Sequence, residues 1–280
     1  MAATAKSGTV QYVVSGVSYN ACPGMVNGGN WGVDTNPQKR TSIAGVGVYV
    51  PGAALTEVSL NITPVDNTCL LDKVLRTTYP AGLPPATPLE VGDDAHGIRG
   101  ASFYCNSAEI TLANDAAMQV NYAFQHLGIH TPRTGVASNT YGAGATTYEW
   151  YRGSVTFGGQ VYGATSLKIA VANGLIFHYD LDAGVSGQLR YPTLVAAGGE
   201  AVSGTVVFRG WPALASASEM AGDEFITATI VATAKNNAGS PSTYTFTATD
   251  AKLTKWATAP VDQSALLDYT VEWVLDDNAQ

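Results

Sequence analysis

Side chains able to do chemistry are few in this chain and widely scattered, so the first question is whether any set has a usable spacing. His126 and His130 are four residues apart. On a helix that spacing would put two imidazoles on one face, as a metal ion requires. Gly128 between them and Pro132 after them argue against a helix, however, and four strand residues span roughly 13 Å. A strand end with exposed histidines is expected, with no metal. Asp180-Leu181-Asp182-Ala183-Gly184 begins like a calcium loop, but it lacks the third acid, and Tyr191 occupies the twelfth position where a bidentate Glu belongs. A turn between strands is expected there. Asp93-Asp94 with His96 has the composition of an acid/base pair, yet the flanking Gly92 and Gly97 make it a mobile loop. Asn61-Ile62-Thr63 fits a glycosylation acceptor, which has meaning only in a secreted chain.

The familiar catalytic signatures are absent: there is no Gly-x-Ser-x-Gly elbow, no Gly-Lys-Ser/Thr phosphate loop and no His-Glu-x-x-His helix. Neither an enzyme nor a cofactor is expected. Cys22, Cys69 and Cys105 are odd in number and contain no Cys-x-x-Cys, which points to buried thiols in a reducing compartment rather than a disulfide framework or a zinc site. The N-terminal residues lack the apolar core of a signal peptide. No run approaches the roughly 18 apolar residues of a membrane span, so a cytoplasmic site of synthesis and no membrane contact are expected.

Composition limits the possible partners. The net charge is −8 and no basic cluster longer than Lys39-Arg40 occurs, so tight binding to a phosphate backbone has no electrostatic basis. Only 13% of residues are charged, against about a quarter in an ordinary soluble protein. Part of the surface is therefore expected to be covered by a partner.

The elements that must position these residues are strands. The run ending Leu267-Asp268-Tyr269-Thr270-Val271-Glu272-Trp273 alternates apolar with polar, which is the period of a strand with one buried and one wet face. Val120, Tyr122 and Phe124 repeat the pattern half a chain earlier. Further strands are expected at 9–19, 43–50, 57–63, 101–112, 118–127, 148–157, 164–171 and 201–208, with a hairpin of 225–233 and 243–250. A long exposed loop is expected between Ala21 and Thr41, where Asn27-Gly28-Gly29-Asn30 is turn chemistry. Asp66-Asn67-Thr68 offers caps to a short helix with Leu70, Leu71, Val74 and Leu75 on one face, and Trp211-Pro212 opens a second helix through Met220.

Four short matches recur in the same order in the two halves. Ser59-Leu60-x-Ile62 matches Ser166-Leu167-x-Ile169, and Leu75-Arg76 leading to Tyr79-Pro80 matches Leu189-Arg190-Tyr191-Pro192. Phe103, Ala108 and Ile110 match Phe246, Ala251 and Leu253, and Tyr122 matches Tyr269. The expected fold is mainly β: two tandem β-sandwich or barrel units, each with a short flanking helix. Residues 1–130 form the first unit with an N-terminal arm and long loop, 131–147 a linker, and 148–280 the second unit with a hairpin insertion.

The segment Thr165-Ser166-Leu167-Lys168-Ile169-Ala170-Val171, the run Gly199-Glu200-Ala201-Val202-Ser203-Gly204-Thr205-Val206-Val207-Phe208 and the closing Leu266-Leu267-Asp268-Tyr269-Thr270-Val271-Glu272-Trp273 resemble the second half of a tail tube (major tail) protein of tailed bacteriophages. The resemblance is one of layout over residues 40–280. It implies a β-sandwich flanked by a helix, assembled into stacked rings around a channel for DNA and the tape-measure protein, in a virion assembled in the host cytoplasm. Many members carry a single unit, so a duplicated chain implies rings of three chains with six pseudo-equivalent units. The partners implied are the chain itself, the tape-measure and tail-end proteins, and DNA that passes without specific binding. Asp268 and Glu272 are the candidate channel-lining acids. Trp31, Trp150 and Tyr151 are the candidate subunit contacts; Trp31 either folds back onto its domain or meets a neighbour. The alternative is a β-sandwich binding module, such as a capsid decoration protein or an adhesin, using those aromatics for ligand. A hydrolase on a β-scaffold is a third reading.

Overall fold

The computed structural model describes residues 9–14, 17–21, 24–36, 38–41, 47–50, 52–65, 70–75, 82–93, 95–135, 146–157, 160–179, 190–209, 227–258 and 268–275. They are mainly strand. The first half holds β1 (Thr9–Val14), β2 (Val17–Ala21), β3 (Gly24–Asp34), β4 (Gln38–Thr41), β5 (Gly47–Val50), β6 (Leu55–Pro64), β7 (Thr87–Gly92), β8 (Gly97–Ala113), β9 (Ala116–His126) and β10 (Thr131–Arg133). The second holds β11 (Tyr148–Phe157), β12 (Gln160–Ala172), β13 (Ile176–His178), β14 (Leu194–Ala196), β15 (Ala201–Arg209), β16 (Thr227–Asn236), β17 (Thr243–Thr258) and β18 (Asp268–Leu275).

The alternation read from the sequence gives the buried faces. Val120, Tyr122 and Phe124 on β9, and Tyr269, Val271 and Trp273 on β18, are all buried, with wet residues between them. Side chains of period two facing a packed neighbour are what hold a sheet to its core. Within the second half Phe208, Trp256 and Tyr269 form an aromatic cluster with centroids 5.3 to 6.0 Å apart, and Phe246 lies 6.1 Å from Trp273. The Trp273 ring lies against Gly204, where a Cβ would come within 2.5 Å of it and within 2.2 Å of the Lys168 carbonyl.

The expected helix after Thr68 is a single 3-10 turn, Leu70–Lys73, the only helical element among the described residues. Its apolar face is as expected, with Leu70, Leu71 and Val74 buried, but Leu75 is 38% exposed. A helix nucleus is costly and needs about three turns to repay it, and the Pro-rich passage after Tyr79 leaves no room. The second expected helix lies outside the described residues. Among those described, no helix is long and apolar enough to cross a membrane.

The loop expected between Ala21 and Thr41 contains the eleven-residue strand β3, a correction to the reading of its Gly and Asn residues as turns. β3 is paired with β6 along its length, from Gly24 opposite Pro64 to Asp34 opposite Leu55. A ladder needs only main-chain groups, so the tertiary partner overrides the local preference. The first residues of the expected linker form β10 on β8; residues 136–145 lie outside the described set.

All ladders are antiparallel. In the first half they run β2, β1, β7, β8, β9, β6, β3; in the second β11, β16, β17, β18, β15, β12. Taken in chain order, β1, β3, β6, β7, β8, β9 and β11, β12, β15, β16, β17, β18 have the same neighbours at every step. The first strand pairs the fourth, the fourth the fifth, the fifth the sixth, the sixth the third, and the third the second. In the second half β11 also pairs β12, so six strands close into a barrel. In the first half no ladder joins β1 or β2 to β3 among the described residues.

The short sequence matches do not follow this order residue by residue. Ser59-Leu60-x-Ile62 and Ser166-Leu167-x-Ile169 set β6 against β12, whereas in the ladders β12 has the position of β3. The β8/β17 and β9/β18 matches fall on equivalent strands but out of register: Ala108 faces Tyr122, while Ala251 faces Leu275 and Tyr269 faces Thr258. Period-two patterns look alike on any half-buried strand, which is why they misplace one another.

Candidate functional site

The two halves form one sheet. Residues 107–113 of β8 pair with 166–172 of β12, so that Ala108 faces Val171, Ile110 faces Ile169 and Leu112 faces Leu167, all six buried. On the opposite face the Glu109 carboxylate meets the Lys168 ammonium at 2.8 Å. Both ends of the junction are tied. The Asn114 N–H donates to the Thr165 carbonyl at 3.1 Å, and the Asn173 N–H to the Asn106 carbonyl at 2.7 Å. The buried Asn173 side chain donates to the Val74 and Cys105 carbonyls at 2.7 and 2.9 Å, binding the 3-10 turn, β8 and the end of β12 together. Main-chain ladders with a buried asparagine at the end give such a junction a fixed register.

A second contact joins the halves at the far end of β6 and β9. The excursion carrying β13 and β14 reaches back, with the Arg190 Nε donating to the Gly52 carbonyl at 3.1 Å and the Tyr191 ring edge-on to His130 at 6.2 Å. His130 Nδ1 is 2.9 Å from the Thr56 hydroxyl. His126, expected at an exposed strand end, is buried: its Nδ1 is 3.0 Å from the Gly128 carbonyl and its ring 4.6 Å from Phe103. Burial holds both imidazoles below the usual histidine range, and for His126 the neighbouring His130 pushes the same way. The two rings thus serve packing, and no group of three metal-ligating side chains occurs among the described residues. The Asp93 carboxylate accepts the N–H groups of His96 and Ala95 at 2.6 and 2.8 Å, and these bonds lower its pKa. It closes a turn and stays ionised, which unfits it as a general acid. Asp94, Asp180 and Asp182 lie outside the described residues.

The outer face of the joined sheet is polar and carries two ion pairs among the described residues. Asn27, Asn61 and Asn121 form a side-chain ladder across β3, β6 and β9. Beyond it come Glu109 with Lys168, and Glu272 with Lys255 at 2.7 Å. Asp268 stands opposite Arg209 in the ladder. Glu272, one of the two acids read from the sequence, therefore shares its face with a cation. A shallow trough of about 640 Å³ crosses this face from β3 to β15, lined by small side chains such as Ser59, Ala123, Ser107, Ala170 and Ser203.

Of the three candidate aromatics, Trp31 and Trp150 fold back against the core, the Trp150 ring lying over Gly153. Tyr151 is 59% exposed, with the Lys235 ammonium 4.6 Å from its ring centre. Sequence reasoning missed the β8·β12 junction, although both segments alternate cleanly. It also missed Glu90, which is buried and held between Arg99 and Arg133, the latter at 3.2 Å.

Fold and surface together define a large antiparallel β-protein whose two halves are joined strand to strand. No protein-family model matches the chain, and no curated protein is significantly similar to it.

Proposed function

We propose that the protein is a structural, self-assembling virion component: two tandem units of one architecture, three chains to a ring, and rings stacked into a tail tube through which DNA is ejected. The observation that carries this reading is the identical ladder order of the two halves together with their strand-to-strand junction. A unit that already joins its twin edge to edge has the interface a ring of such units needs, and a heterologous contact closes into a ring when its rotation permits.

The surface supports the same reading. Charges paired as Glu109 with Lys168 and Glu272 with Lys255 neither grip a phosphate backbone nor repel it strongly, so DNA passes without specific binding. A tape-measure protein and tail-end proteins are the further partners of such a tube. As a binding module the chain would depend on exposed aromatics, and of the three candidates only Tyr151 is largely exposed.

Light scattering on the purified chain over a range of concentrations tests the proposal. The expected species are multiples of three 29.1 kDa chains. A single 29.1 kDa species at every concentration would reject it.

A further inference from the structure

We infer that residues 253–258 of β17 in one copy pair with β3 of the next copy, repeating between chains the β8·β12 junction found within one chain. The inference rests on the tandem reading above and names the strands that carry it.

The used junction has a definite construction. β8 pairs with β7 through residues 97–103 and with β9 through 103–113, on opposite sides. Beyond Phe103 the β7 side is left open, and β12 fills it. β17, in the equivalent position, is built the same way: it pairs with β16 over 243–252 and with β18 over 251–258. Beyond Lys252 no strand is paired on the β16 side among the described residues. The other partner repeats as well. β12 gives one edge to β15 and the other first to β11 and then to β8. β3, in the position of β12, gives one edge to β6 along its whole length, and no described strand pairs with the other. Beside the single β9–β11 pairing of Ala117 with Glu149, the chain therefore carries one completed junction of this kind, from first half to second, and, among the described residues, the two open sides of another, from second half to first.

Burial marks β3 as the incomplete partner. Leu167, Ile169 and Val171 on β12 are buried under the joined sheet, whereas Val26, Trp31 and Val33 on β3 are only half-buried and Met25 is exposed. Edge strands that stay uncovered are guarded by charges, proline or bulges. β3 is eleven residues long, contains neither lysine nor proline, has one register shift, between Val26 and Gly28, and runs in register and uncharged from Gly28 to Val33. Its one charge is Asp34, and the one charge of residues 253–258, Lys255, is already neutralised by Glu272, so neither side repels the other.

Cysteine crosslinking of the full chain tests the pairing. In a Cys22→Ser, Cys69→Ser background, Asn30→Cys or Gly32→Cys is placed on β3 in one preparation and Thr254→Cys on β17 in another. Oxidising the mixture is expected to give disulfide-linked dimers about tenfold above either preparation alone, because docking raises the local thiol concentration. Oligomers seen by light scattering with no excess of mixed dimer would overturn this pairing and leave self-assembly standing. Mixed dimers in a sample that forms neither rings nor tubes in micrographs would uphold the pairing and reject the tube. A chain that is monomeric and uncrosslinked at high concentration would reject both. As a second variant, Gly32→Lys on β3, where an added Cβ meets nothing within 4 Å, should keep the circular dichroism of the fold while losing the oligomer by placing an edge-guarding charge; unchanged oligomerisation would count against the edge.

Discussion

Glu90 shows how much a single side chain carries here. Its carboxylate is buried on β7 and accepts from Arg99 on β8 and Arg133 on β10, so it pins the short strand that precedes residues 136–145. Removing one member of a buried ionic group costs about 3–5 kcal/mol, but both guanidiniums keep about a third of their surface in water, which reduces the expected loss for Glu90→Gln to about 2 kcal/mol. Urea unfolding should show it as a lower midpoint with an unchanged slope. Cys105 is equally buried, and burial pushes its thiol up to about 12. In the Cys22→Ser, Cys69→Ser background it should resist a thiol reagent at pH 8 and react once the chain is unfolded; prompt reaction of the native protein would contradict its placement. The sequence signalled the buried thiol but not the buried carboxylate. Nothing along the chain reveals that Arg99 and Arg133, 34 residues apart, meet on one acid.

At the level of elements, strand existence was legible where apolar residues alternate over six or more positions, as on β9 and β18. It was illegible on β3, whose Gly and Asn residues have turn chemistry and are held by the main-chain ladder to β6 and the Asn27–Asn61 side-chain bond. Gly204 on β15 ties an element to the barrel interior. A methyl group there would press on the Lys168 carbonyl and the Trp273 ring, so Gly204→Ala should cost about 1–3 kcal/mol by overpacking. Gly163→Ala on β12, with nothing within 4 Å, is the neutral control. Thermal melts of both variants decide the matter. The ends of β6 and β9 add a pH dependence. Burial lowers the pKa of His126 and His130 in the folded chain, so their contribution to stability is complete above the unfolded histidine value of about 6.5 and is lost as pH falls through the lowered folded values. Asp93, also lowered, acts in a separate window below about pH 4. The melting temperature should therefore fall between pH 6.5 and 5, and His126→Gln should flatten that fall. An equally steep profile in the variant would assign the pH dependence elsewhere.

For the whole molecule, the two halves share five ladder pairings in the same order, but the short sequence matches do not map onto them: the matched residues are out of register and one match sets the wrong strands together. Order of pairing is a property of the sheet that period-two patterns do not encode, since any such pattern can face any other. The junction of β8 with β12 and the unused sides of β17 and β3 follow from that order and lead to the central claim, that copies of this chain join into rings and stack. Negative-stain microscopy of the concentrated full-length protein tests it most directly. Rings with six similar lobes, stacking end to end into hollow tubes, are the expected result. Compact single particles at every concentration, with neither rings nor tubes, would contradict it.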